Sequence, residues 1–414
     1  MNDIIKQRID AIRHGEVPEG YTHSKVGVLP KDWSILTVGR CIKEYKKLSN
    51  DIANIPVYSS SRKGLMPQSE YYDQREAAET NLGYKIVPKE YVTYRHMSDD
   101  DIFHFNINLT GSDILVSSEY PVFTSSGESE LGFLIPALNE MARFRYFCRT
   151  QKLGGTRTRL YIKNLSKYQL AIPRLEEQQK IAEILTVQDK VIELKEKRIA
   201  EKQRQKKYLM QQLLTGKKRL KGFCGEWVEQ ELGTVFSERV ETNCNELPLL
   251  AITGMKGVVP RTELDLKDNS NEDKSKYLKI CVGDIGYNTM RMWQGVSAYS
   301  NYEGIVSPAY TILKLKKTAD AKYFAYLFKM PEIVFLFYRF SQGLVDDTRN
   351  LKYSNFKKIR VRFPRDIKEQ TAITEVLSAT DSEISLLQKD LEQERLKKKA
   401  LMQLLLTGIV RVSA

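Results

Sequence analysis

One stretch occurs twice in this chain, and it constrains everything else. Residues 177–216 begin EQQKIAEIL and end LMQQLLTG, and residues 369–408 begin EQTAITEVL and end LMQLLLTG. A shift of 192 positions superposes the two without a gap. It places Glu177 on Glu369, Ile181 on Ile373, Glu183 on Glu375, Leu185 on Leu377, Asp189 on Asp381, Ile192 on Ile384 and Gly216 on Gly408. Copies so far apart are not a stacked short repeat, whose period runs about 20–50 residues. They mark a duplicated half-molecule.

Each copy predicts one long helix. No Pro or Gly interrupts residues 177–215. Leu185, Ile192 and Ile199 recur at heptad spacing with Leu213 two heptads on, and the second copy supplies Leu377, Ile384, Leu391 and Leu405. That spacing is the seam of a coiled coil. Lys206 and Lys398 fill the same heptad seat in the gap, and Gly216 and Gly408 suit C-caps. About 38 residues at ~1.5 Å rise give a rod of roughly 55–60 Å. The expectation is that the two helices pack antiparallel as a spacer, each with a globular half at one end. The alternative is a solvated helix packed on its own domain.

The 414 residues leave room for two or three domains with ample core, and 42% hydrophobic content is ordinary for a globular chain. A net charge of +13 points to a polyanion, nucleic acid first, although a basic surface also serves solubility. Cys41, Cys148, Cys224, Cys244 and Cys281 are odd in number and lack metal-type spacing, which suits a reducing cytoplasm. The first residues do not resemble a signal peptide, and no apolar run is long enough to span a bilayer, so no membrane association is expected.

Residues 1–21 read as a short amphipathic helix, with Ile4, Ile5, Ile9 and Ile12 on one side, and a turn-rich link. Residues 22–173 and 217–364 are the globular units, and residues 174–216 and 365–414 hold the long helices. The units correspond in outline. Trp33 and Gly39 match Trp227 and Gly233, Pro56 matches Pro248, and Lys63 and Gly64 match Lys256 and Gly257. KIVPKEYVTY ending at Tyr94 matches LKICVGDIGY ending at Tyr287, VSSEYPVF matches VSPAYTIL, and LYIKNLSKYQLAIP matches LKYSNFKKIRVRFP. Short β-branched and aromatic runs between turn residues indicate mostly β units, with a helical segment in each near residues 139–149 and 321–338. The stretch before Trp33 is similar to the one before Trp227, so the duplication is circular and the last helix is expected beside the first.

The paired EQQKIAEIL and EQTAITEVL starts, the paired LLTG ends, the LPKDW and GFCGEW segments and the VSPAY of the second unit carry a resemblance across the whole chain. The chain resembles the specificity subunit of a type I restriction-modification system. The resemblance implies an α+β fold: two mostly-β target recognition domains with pseudo-two-fold symmetry, separated by two long antiparallel coiled-coil helices. It implies that each domain reads one half of a split double-stranded DNA site. It also implies that the helices fix the separation and dock two methyltransferase (modification) subunits, joined by restriction subunits. The chain itself would catalyse nothing and bind no cofactor; S-adenosylmethionine, ATP and Mg would belong to the partner subunits. VSSEY in the first unit departs from the family's VSPAY.

No GxxxxGK[ST] loop and no methyltransferase tetrapeptide is present. His14, His23, His96 and His104 are scattered. Asp32, Glu44 and Lys46 could be forced into a Mg-dependent nuclease pattern, but the second copy has Glu226 and keeps no Glu-x-Lys. Candidate DNA contacts are polar and basic residues interleaved with aromatics on expected loops. In the first unit they are Ser60, Arg62 and Lys63; Tyr94, Arg95 and His96; and Thr156, Arg157, Thr158 and Arg159 within GGTRTR, whose Gly154 and Gly155 would admit a phosphate. In the second they are Thr253 and Lys256; Asn288, Arg291 and Trp293; and Gln342, Arg349 and Lys352. Asn and Gln suit adenine, and Arg suits guanine. The rival readings are an enzyme that cuts or modifies DNA itself, and a coiled-coil scaffold without sequence preference.

Overall fold

The computed structural model describes residues 3–50, 55–68, 83–152, 156–254, 256–264, 273–316 and 319–412. Its fold class is α+β. The chain divides into two compact units, one of residues 1–195 with 390–414 and the other of residues 196–389. Each unit holds a β-rich domain and parts of both long helices.

In the first unit, helix α1 (Asp3–Arg13) buries none of its side chains fully. The core sheet follows, with β1 (Ile42–Tyr45), β2 (Val92–Tyr94), β3 (Phe105–Ile107) and β4 (Val122–Ser125) in the order β3-β2-β4-β1, antiparallel throughout. Helices α2 (Leu131–Glu140) and α3 (Ala142–Thr150) pack beside it, and helix α4 (Leu175–Leu213) leaves the domain. Sequence places the first helical segment near residue 139; it begins eight residues earlier, at Leu131. Gly132 and Pro136 hide that helix from a propensity reading. The glycine is needed because a Cβ there would lie 2.6 Å from Ala182 Cβ on α4.

The second unit repeats the plan. Strands β5 (Phe236–Arg239), β6 (Ile285–Asn288), β7 (Ser297–Tyr299) and β8 (Tyr310–Leu315) run in the order β5-β8-β6-β7, the same topology. Helices α5 (Ala321–Leu327) and α6 (Pro331–Phe340) take the places of α2 and α3, and α7 (Ile367–Leu405) is the second long helix. The correspondence reaches single hydrogen bonds. Gly39 N–H donates to Ser166 O (3.0 Å) as Gly233 N–H does to Lys357 O (2.9 Å). Leu115 N–H meets Pro56 O and Ile305 N–H meets Pro248 O, both at 2.9 Å. The side chains of Tyr94 and Tyr287 fill equivalent core positions.

Both long helices are 39 residues, and within each unit they pack antiparallel. In the first unit Lys195 pairs with Asp390, and Lys398 reaches Asp189 (2.5 Å). In the second, Lys202 meets Glu383 (2.8 Å) and Lys206 meets Asp381 (2.6 Å). The two lysines in the apolar seam thus each cross to the duplicated aspartate. Leu185, Ile199, Leu213, Leu377, Ile384, Leu391 and Leu405 are buried.

The Glu-Gln pair that opens each helix joins it to its domain. Gln178 donates to Pro173 O (2.9 Å) and accepts from Glu130 N–H (2.8 Å); Gln370 donates to Pro364 O (2.8 Å) and accepts from Asp320 N–H (2.9 Å). Glu177 and Glu369 are buried carboxylates. Arg411 grips Glu177 through Nε and a terminal nitrogen (2.8 Å each), and Trp33 Nε1 donates to the same carboxylate (3.3 Å). Arg219 and Trp227 Nε1 (3.4 Å) do the same for Glu369. Gly216 and Gly408, at φ +71° and +72°, turn the chain under those indoles. The counterpart of the 216–219 segment is therefore the chain's tail at 408–411. It is held to the start of the chain by Tyr21 OH to Gly408 O (2.6 Å) and Arg8 to Ile409 O (3.0 Å). This is the circular closure expected from sequence, made by tail residues that the sequence reading passed over.

Removing one partner of a buried ion pair strands the other charge. Arg411→Ala should destabilise the first unit by about 2–4 kcal/mol, the lower end reflecting partial exposure of Arg411. Glu177→Gln in the same background should recover part of the loss in urea unfolding. An Arg411→Ala chain as stable as the parent would remove the clamp from the account of the fold.

Candidate nucleic-acid interface

Three sequence-distant stretches of the first unit come together. The hairpin Tyr58–Ser61/Gly64–Pro67 presents Arg62 and Lys63 at its exposed turn. Tyr94 ends β2 and residues 95–98 follow it, and Thr158–Arg159 pairs antiparallel with Met97–Ser98. A cavity of about 480 Å³ lies between the first two, lined by Arg62, Lys63, Arg95, Ser98, Asp99 and His104.

The loop Asp99–Asp100–Asp101 organises this face. Arg62 donates to Asp100, Arg157 Nε donates to Asp99 (2.8 Å), and Thr158 Oγ1 donates to Asp101. Ser98 Oγ also donates to Asp100 (2.9 Å), and the Asp101 backbone is left-handed at φ +62°. The Arg62 hydrogen bond holds the Asp100 carboxyl below its usual range. Two guanidiniums are thereby aimed before any ligand arrives. The sequence reading missed the three aspartates because, beside a basic patch, acids read as surface charge.

Four candidates of this unit are interior. Tyr94 is fully buried and its OH donates to Leu160 O (2.9 Å). The Ser60 hydroxyl is buried, donating to Thr93 O (3.4 Å) and accepting from Asn106 Nδ2 (2.8 Å). Thr158 is buried on Asp101, and His96 is buried against Tyr161, ring centroids 5.4 Å apart. The hydroxyls of Ser60, Tyr94 and Thr158 hold the loops rather than face a ligand, whereas His96 Nδ1 has no hydrogen-bond partner among the described residues. Arg62, Lys63, Thr156, Arg157 and Arg159 are exposed and Arg95 is half-buried; Gly154 and Gly155 lie outside the described residues.

In the second unit, two of the three stretches share one aromatic post. Tyr338 on α6 stacks edge-on with Trp293 (centroids 6.2 Å) and carries the Arg349 guanidinium 4.0 Å above its ring. Arg349 also donates to the Tyr338 hydroxyl (2.8 Å) and to Asp346 (2.9 Å). Trp293 is half-buried, its Nε1 donating to Met290 O (3.0 Å), and Asn288 Oδ1 accepts from Met290 N–H (2.9 Å). Asn288 and Trp293 therefore shape the turn, leaving Arg291 exposed. Gln342 and Asn350 pair through their backbones (2.8 Å both ways) and close a loop whose tip, Leu344, is 98% exposed. Nothing in the sequence singled out that leucine. Gln342 and Lys352 are exposed. Thr253 Oγ1 donates to Gly257 O (3.0 Å) and accepts from Lys256 N–H (2.8 Å), leaving the Lys256 side chain exposed.

No group of three or more His, Cys, Asp or Glu able to hold a metal occurs among the described residues. Asp32, the first member of the forced nuclease pattern, is bound by Arg411 at 2.7 and 2.8 Å. No helix among the described residues is long and apolar enough to cross a membrane.

Residues 37–204 match the family model described as "Type I restriction modification DNA specificity domain". The chain is 24% identical over 444 residues to the specificity subunit assigned to the MjaX type I restriction enzyme of Methanocaldococcus jannaschii, covering 95% of this chain and 97% of that one. Its fold is similar to that of the type I restriction-modification S subunit from M. genitalium, with a TM-score of 0.56, 13% identity, and coverage of 90% of this chain and 96% of that one. It is also similar to a chain from the structure describing complex assembly and conformational transition of the type I R-M system (TM-score 0.53, 13% identity, 92% and 99% covered).

Burial holds both His96 and His104 below the usual imidazole range. As pH falls below about 6.5 the unfolded chain takes up protons before the folded one, so stability present above that pH is lost on acidification. His96→Gln should flatten this loss, giving a smaller drop in urea midpoint between about pH 7 and 5. Equal drops in variant and parent would show that His96 is not held neutral.

Proposed function

We propose that this chain, whose residues 37–204 match the type I restriction-modification DNA specificity domain, reads a split site in double-stranded DNA, one half per β-rich domain. The observation that carries this reading is the contrast between the two faces. Backbone hydrogen bonds repeat from one unit to the other, and so does the hairpin hydroxyl of Ser61 and Thr253, whereas the arginine and aromatic side chains do not: Arg62 and Arg157 lie on an aspartate run in one, and Arg349 is stacked on Tyr338 beside Trp293 in the other. One scaffold with two unlike faces suits two unlike half-sites.

Arginine held by a carboxylate presents its remaining N–H groups in a fixed fork, the geometry that suits guanine O6 and N7. Arg62 and Arg157 are the candidates for direct readout in the first half, and Arg349 and Gln342 in the second. Lys63, Lys256 and Lys352 suit phosphate, where most affinity and its salt dependence arise. The long helices act as the spacer and offer docking faces to two methyltransferase subunits, which restriction subunits join. Adenine methylation and ATP-driven cleavage, with S-adenosylmethionine, ATP and Mg, fall to those partners in the cytoplasm, and this chain directs them.

The deciding experiment is a methylome. Expressed with its cognate methyltransferase subunit, the chain should produce one bipartite motif with a fixed unspecified spacer. Association without any modified motif would refute the reading. Exchanging residues 34–173 for those of another specificity subunit should change one half only. A seven-residue insertion in α4 after Ile192 should lengthen the tolerated spacer; an unchanged spacer would sink the ruler role. Arg62→Ala and Arg157→Ala should each cost about 1–3 kcal/mol on the cognate duplex, measured by fluorescence anisotropy, and less on a random duplex.

A further inference from the structure

The second unit contains a cavity of about 580 Å³ that none of the candidate contacts explains. Three lysines line it: Lys206 from α4, and Lys322 and Lys329 from α5 and the residues just after it. Lys206 is neutralised by Asp381 at 2.6 Å, and Tyr326 OH donates to the same carboxylate (2.7 Å). The other two charges are not met. Among the described residues no carboxylate pairs with Lys322 or Lys329. Lys322 lies over the Tyr299 ring, 5.2 Å from its centroid. Among the described residues the Lys329 ammonium donates to two carbonyls and nothing else, Gly295 O (2.7 Å) and Ser297 O (2.6 Å).

Burial, with Lys206 nearby, pushes Lys329 down to about 8. A largely buried cation without a counter-charge is costly unless something anionic enters. Ser297 lines the same cavity, is buried, and its hydroxyl lacks a hydrogen-bond partner among the described residues. On the α7 side the Ser378 and Ser382 hydroxyls already donate, to Tyr326 OH (3.3 Å) and Ser378 O (3.0 Å), so Ser297 is the uncommitted hydroxyl there.

The first unit shows that the fold does not require this charge. There Asn139 does the equivalent work with a neutral amide, donating to Phe105 O (3.1 Å) and accepting from Phe105 N–H (2.9 Å). Phe105 opens β3 as Ser297 opens β7. Where one half anchors this strand with an amide, the other uses an ammonium facing a cavity.

We propose that the cavity bounded by Lys206, Lys322, Lys329 and Ser297 binds a nucleotide phosphate, either on a free nucleotide or within a DNA strand. Two unpaired ammoniums and an open hydroxyl match the charge and acceptor oxygens of a phosphoryl group. The volume exceeds that of a bare phosphate, which leaves room for the attached nucleoside.

The test uses the full-length chain with Lys329→Asn, the residue type that serves the other half, and Lys322→Gln, an exposed position. Thermal unfolding is followed at constant ionic strength with inorganic phosphate or dAMP replacing chloride, and duplex affinity is followed across a salt series. With a free-nucleotide source, phosphate or dAMP should raise the parent Tm by roughly 2–4 °C, and both variants should lose that shift. With a strand phosphate as source, each variant should make the slope of log K against log salt shallower by about one unit. Variants that match the parent in both measurements would overturn the proposal. Should Lys329→Asn fail to fold, Lys322→Gln decides alone. The phosphate measurement needs no DNA, so it stands apart from the split-site reading.

Discussion

The architecture depends on two buried carboxylates. A carboxylate taken out of water must be fully met by donors, and Glu177 and Glu369 each gather an arginine fork and an indole N–H. Those donors come from different parts of the chain: the glutamate opens a long helix, the tryptophan begins a domain, and the arginine follows the end of the other long helix. None of the three can be in place without the others. In the second unit the arginine and tryptophan belong to one continuous segment. In the first they sit at opposite ends of the chain, 378 positions apart between Trp33 and Arg411. The same clamp thus survives a break in connectivity, which is how a duplicated chain closes on itself.

The sequence shows the duplication because its packing demands recur with a fixed period. Heptad leucines and isoleucines, C-cap glycines and the paired Trp positions answer geometric needs that leave few alternatives. Even the lysines in the seam make sense once each meets the duplicated aspartate. Helix α2 was not legible, because Gly132 and Pro136 are poor helix formers locally and are tolerated only through tertiary contact, the glycine where α2 touches Ala182. The roles of Glu177 and Gln178 were equally hidden: a Glu-Gln pair at a helix start reads as solvated until its partners are placed.

The candidate interface was legible by region and not by residue. Stretches chosen for charge and polarity do come together in the first unit, and two of the three do so in the second. Within them, however, His96 is buried against Tyr161, and Ser60, Tyr94 and Thr158 face inward because a β-rich domain of this size needs polar side chains to hold loops that lack ladder hydrogen bonds. What arranges the outward-facing arginines is a run of aspartates that composition counts against nucleic-acid binding.

That run of aspartates also changes what the net charge means. An arginine already matched by its own carboxylate gains little new charge compensation when it reaches a polyanion, and the carboxylate left beside the duplex retains a cation there. The +13 on this chain therefore overstates how many counterions it would displace. A ligand that displaces few counterions gains less of its affinity from the ionic atmosphere. A larger share must come from direct fit, and that share persists when salt is raised.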